Sequence, residues 1–136
     1  MTLPTESEIN PIQDDLDGQV AVKHFLGKTV QDAVDLFGEN SLAYQEDLMW
    51  MGPRAFCYYL PAVLEHFRRQ SDPELVGFIV SVLEFRLEHD AADIRASFPA
   101  ITAICAHLFD QGEDDVNPDE RKRLHALLGR VSFTST

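Results

Sequence analysis

The sequence predicts an all-α fold: a single compact domain of five to seven helices packed as antiparallel hairpins. Three observations carry that expectation. Apolar residues recur at helical spacing, most plainly at Phe56, Leu60, Val63, Leu64 and Phe67. Helix-start signals precede several of these runs, at Thr29, at Asp72-Pro73-Glu74 and at Asn117. No segment alternates apolar and polar residues at period two over the length of a strand.

Residues 1–16 mix proline with acids and lack sustained periodicity, so they read as an extended arm anchored by Ile9, Ile12 or Leu16. A helical domain follows over residues 17–131. Asp17 is placed to cap a short helix in which Val22, Phe25 and Leu26 share a face, ending near Gly27. Thr29 caps the next, with Val30, Val34 and Phe37 in register and Gly38 as its stop. The stretch Glu39–Met51 reads as no more than a short helical turn. Pro53 suits the first turn of a helix, where its missing N–H costs nothing.

That helix carries the strongest apolar stripe of the chain, and Pro61 interrupts it. A proline there cannot donate to the carbonyl of Cys57, so a kink or a break is expected, with one carbonyl left in need of a donor. Asp72-Pro73-Glu74 then starts a helix that is apolar almost all round and is expected to be the most buried. Its Gly77 and Ser81 allow a neighbouring helix to approach closely. Phe98, Ile101, Ile104, Cys105, Leu108 and Phe109 form a further face, closed by Gln111-Gly112. Asn117 caps the last helix, with Leu124, Leu127, Leu128 and Val131 as its stripe and residues 132–136 as a frayed tail. The expected hairpins are 53–70 with 73–88 and 98–111 with 118–130.

At 136 residues the chain is long enough to bury one core unaided. Its formal net charge is −12, and the acids are unevenly spread. Residues 1–50 hold ten acids against two bases, and residues 51–136 hold thirteen against nine. Such a surface repels phosphates, so no nucleic acid is expected as a partner. No apolar run is long enough to span a bilayer and no signal peptide is evident, so a cytoplasmic protein without membrane contact is expected. Cys57 and Cys105 both sit in apolar helical patterns and read as core thiols rather than a disulfide.

Chemistry-bearing motifs are missing. The five histidines are scattered, with no pair at metal-ligand spacing, and Glu84, Glu88, His89 and Asp93 read as a solvated helix end. Residues 110–121 fail as a calcium loop, with Gly112, Asp115 and Arg121 where an oxygen ligand, a glycine and a glutamate belong. No serine lies in a nucleophile elbow and no cysteine in a redox pair. The expectation is therefore no catalytic residue, no metal and no cofactor.

What remains is the stretch Leu48–Pro61, which holds the only tryptophan of the chain. Trp50, Arg54, Tyr58, Tyr59 and His66 belong to types that fill interface hot spots and equally fill cores. Tyr58 and Tyr59 point about 100° apart on a helix, so only one can sit at the centre of a core face. One hydroxyl is expected to reach a polar partner, the carbonyl freed by Pro61 being the nearest candidate. The run Met51-Gly-Pro-Arg-Ala-Phe-Cys-Tyr-Tyr-Leu-Pro-Ala-Val-Leu64 resembles a family of small, uncharacterised, mainly bacterial all-helical proteins, a domain of unknown function. Their shared core is Ala-Phe, then Tyr two residues on, then Leu-Pro-Ala, and the likeness extends from Phe25 and Gly27-Lys28 to Phe67. It implies the helical fold and supplies no catalytic residue.

The reading these observations support is a non-enzymatic protein-binding domain, monomeric or dimeric. Its most concrete form is an immunity-type antidote whose acids, Asp14, Asp15 and Asp17 among them, meet a basic toxin or effector. Trp50, Arg54, Tyr58, Tyr59 and His66 complete the candidate partner-binding set. One alternative is a small-molecule-binding or enzymatic domain with a pocket beside Pro61. A weaker one is an acidic mimic of nucleic acid. The likeness to immunity proteins is one of size and style, not of motif.

Overall fold

The computed structural model describes residues 2–134. Among the described residues there are seven α-helices and no strand. In chain order they are α1 (Glu6–Ile9), α2 (Leu16–Phe25), α3 (Val30–Trp50), α4 (Pro53–Arg69), α5 (Pro73–Asp90), α6 (Phe98–Phe109) and α7 (Pro118–Thr134). A 3₁₀ turn, Arg95–Ser97, leads into α6. Helix α3 packs on α4 and α5, α4 on α6, α6 on α7, and α7 back on α5, so five helices close a ring around the core. Helix α2 lies on α3, and α1 lies on α4 and α2.

Local chemistry sets most helix starts. Thr29 and Asp32 form a reciprocal capping box, as do Asn117 and Glu120. Asp72 accepts from the Leu75 N–H as expected. Helix α2 starts earlier than expected, because it is Asp15, not Asp17, whose carboxylate accepts from the Gly18 N–H at 2.8 Å. The reading of residues 1–16 as extended needs a larger correction. Thr5 and Glu8 make a capping box that holds the single turn α1, and Ile9 is fully buried. The arm is docked: the Gly52 N–H donates to the Ile9 carbonyl at 3.0 Å. A Cβ on Gly52 would lie 2.2 Å from the Glu8 carbonyl oxygen, so only glycine lets the arm approach this closely.

Helix α3 is also longer than the sequence implied. It does not stop at Gly38 but breaks at Asn40, whose φ of −159° and ψ of 80° are not helical. The Asn40 side chain then accepts from the Ala43 N–H at 3.2 Å and caps a second half that runs to Trp50. Pro61 does not end α4, which continues through it to Arg69. The proline ring is on the exposed side of the helix, so the core stripe of Phe56, Leu60, Val63, Leu64 and Phe67 is buried intact. Nine residues of α4 and eight of α5 are buried, so α4 is as central as the helix expected to be most buried.

Helices α6 and α7 form the expected close pair, while α4 and α5 are joined through α3, which packs on both. Helix α7 crosses α5 at Gly77 and Ser81, where a Cβ on Gly77 would lie 3.0 Å from a Glu120 carboxylate oxygen. Arg123 fastens that crossing by donating to Glu84 and, at 3.1 Å, to the Ser81 hydroxyl. Cys57 is half-buried, Cys105 is buried, and both thiols are free. The frayed tail is a further correction, since α7 continues through Thr134; Ser135 and Thr136 lie outside the described residues.

Candidate functional site

Two polar clusters in the structure resemble catalytic arrangements, and in both the carboxylate is engaged in holding helices together. Asp72 accepts from the Ser41 hydroxyl at 2.6 Å and lies 2.7 Å from Nε2 of His66. The carboxylate stands between hydroxyl and imidazole, so the order is serine, carboxylate, imidazole and not the serine, imidazole, carboxylate order of a hydrolytic triad. Burial pushes the Asp72 carboxyl up, but hydrogen bonds from Ser41, His66 and the Leu75 N–H outweigh it and hold it below its ordinary range. The cluster ties the second half of α3 and the end of α4 to the start of α5. The other pair is His24 and the buried Asp47, 2.6 Å apart, where α2 lies on α3. Burial pushes the Asp47 carboxyl up, and its bond to His24 opposes that rise. No group of three His, Cys, Asp or Glu side chains among the described residues could hold a metal ion.

The residues singled out in the sequence divide sharply. Tyr59 is fully buried, and its hydroxyl donates to the Phe25 and Lys28 carbonyls, each at 2.8 Å. Its partner is thus the C-terminal end of α2 rather than the carbonyl freed by Pro61, and burial pushes its phenol up to about 12. His66 is buried as well, against Asp72 and Gln70. Neither reaches the surface, so both leave the partner-binding set. Tyr58 is half-buried, edge-on to the Tyr59 ring at 4.9 Å. Arg54 braces the arm by donating to Glu8 at 2.9 Å and to the Thr2 carbonyl and hydroxyl.

Of the rest, Asp14, Asp17 and Trp50 are exposed and Asp15, like Arg54 and Tyr58, is half-buried. Asp15 and Trp50 line a single cavity of about 180 Å³ with Ile12 and Pro11, over the buried Arg86. Asp14 and Asp17 are exposed beside it in the chain. Pro61 lines neither of two depressions of about 680 and 480 Å³, which are bounded by α1, α2 and the loop between them, and by Pro53, Arg54, Cys57 and Asp93.

The sequence reading missed Ile12, Leu16 and Val20 as surface residues. They are 71%, 75% and 45% exposed, against 41% for Trp50. Leu16 and Val20 are one turn apart, on the side of α2 opposite the buried Gly18, Ala21 and Phe25. A helix apolar on two opposite sides was the available signal. Among the described residues, six of the seven exposed large apolar side chains fall in the first fifty residues, the seventh being Phe78. No helix of the described residues is long and apolar enough to cross a membrane. No family model, curated protein or solved structure matches the chain, so the resemblance of residues 51–64 stands on its motif alone.

Proposed function

We propose that this is a protein-binding domain without chemistry of its own, whose partner is basic. The observation that carries the reading is a coincidence of place. The first fifty residues hold ten acids against two bases, and among the described residues the same segment holds all but one of the large exposed apolar side chains. An apolar centre with a charged rim is the anatomy of a protein interface, and the sign of the rim selects a basic partner and speeds its encounter. An antidote that covers a basic toxin or effector is the most concrete form of this activity.

The test is capture by the immobilised protein from its native host at low and moderate salt, read by mass spectrometry. A stoichiometric basic partner that is lost as salt rises is the expected result. No such partner at either salt overturns the reading. Reversing Asp14 and Asp17 together is expected to weaken the captured complex several-fold, mostly through a slower on-rate. Asp15 is left out of that variant because it caps α2, and its loss would cost about 1 kcal/mol of stability on its own.

A further inference from the structure

We infer that the outward face of α2 is the docking surface, and that it receives an amphipathic basic helix of the partner; this rests on the protein-binding reading. Leu16 and Val20 form a ridge at the pitch of an α-helix, and Ile12 is exposed in the loop that precedes it. A straight ridge of that pitch fits the groove between side-chain rows of another helix. Beside it, the cavity lined by Ile12, Asp15 and Trp50 has room for one anchoring side chain.

The rim fixes the chemistry of the occupant. Asp14 and Asp17 flank the ridge, and Glu46 is exposed one turn before Trp50 on α3. Asp17 on α2 and Glu46 on α3 are both exposed, on two helices that pack against each other. The bases of α2, Lys23 and His24, both lie in its last turn, and His24 is held against Asp47. A helix with apolar side chains running between lysines and arginines satisfies both features. A second copy of this chain would bring the same acids against one another, so it is the disfavoured occupant.

Trp50 is the only tryptophan of the chain, and its place beside the ridge makes its emission the readout. The probe is a synthetic helix of about five turns with leucines one turn apart among lysines and arginines. Its control is a peptide of the same composition with the stripe scrambled. The striped peptide is expected to shift the emission to the blue saturably, about tenfold more tightly than the scrambled one, roughly one and a half kcal/mol. Leu16→Glu and Val20→Glu are each expected to weaken it by a similar factor, with Leu16→Ser and thermal melts checking that the fold is kept. Equal affinity for both peptides, or unchanged affinity in the variants, overturns the surface. A dimer in sedimentation that Leu16→Glu dissolves also overturns it, in favour of self-association. If Leu16→Glu still captures the basic partner of the pull-down in a salt-sensitive way, the surface falls and the broader reading stands. If the unaltered protein captures none, the broader reading falls instead.

Discussion

Single residues decide how the helices are joined. Tyr59 carries the heaviest duty, since its one hydroxyl serves two carbonyls at the end of α2 from inside the core. Tyr59→Phe keeps the ring packing against Phe25 and removes that donor, leaving the Phe25 carbonyl with the Lys28 N–H alone. The expected loss is about 1–2 kcal/mol in urea unfolding; a neutral substitution would mean that water already satisfies the carbonyls. Asp72 makes a pH-dependent contribution of definite sign. Its folded carboxyl lies below its ordinary value of 3.8, so its stabilisation is complete above that value. It is lost as the pH falls through the lower folded value. The stability gap between the natural protein and Asp72→Asn should therefore close on acidification below that range. Asp47 has the opposite sign: burial raises its carboxyl, so what it contributes is present at low pH and lost as the pH rises through its raised value. A gap for Asp72→Asn that widened in acid would refute the assignment.

At the scale of elements, the chain shows where local chemistry suffices and where it does not. The caps at Thr29, Asp72 and Asn117 were legible because a cap needs only its own side chain and the next three residues. The second half of α3 was not, because it buries Gln45 and Asp47 and so never shows an apolar stripe. The docked arm was illegible for a related reason: Ile9 is buried while Ile12 and Leu16 are exposed, and residue type cannot rank them. Of the candidate site, the acids and Trp50 were visible by type. The choice between Tyr58 and Tyr59 was not, since it depends on the carbonyls of Phe25, the last residue of α2, and of Lys28 in the turn after it. Pro61 was recognised, but its consequence was overestimated, since an exposed ring leaves the buried stripe undisturbed. Its cost is then confined to one missing backbone bond and local crowding. Pro61→Ala restores that bond, offset by about 0.4–1 kcal/mol of extra freedom in the unfolded chain. A net gain of about 1–2 kcal/mol in unfolding free energy is expected, below the roughly 3 kcal/mol of a fully strained proline. Destabilisation would mean that the core depends on a bend at that point.

For the molecule as a whole, one quantity acts in two directions. The net charge of −12 opposes compaction, because every acid on a closed surface is nearer its neighbours than in an open chain. The exposed or partly exposed pairs within single helices, Arg69–Glu65 and Arg123–Asp119, offset little of this, at about 0.3–0.5 kcal/mol each. Raising salt from about 10 to 150 mM shortens the screening length from roughly 30 to 8 Å. Repulsion spread over the whole surface is thereby weakened more than contacts within the core. The free protein should thus melt at a higher temperature as salt is added. The same screening removes the attraction that draws a basic partner to the acidic first third, so the complex should weaken over the same range. Opposite slopes for stability and binding are the signature expected of an acidic face kept for recognition at a cost to the fold. Measured together by thermal melts and by titration with the striped basic peptide, parallel slopes would mean that the acids neither repel one another appreciably nor face the partner.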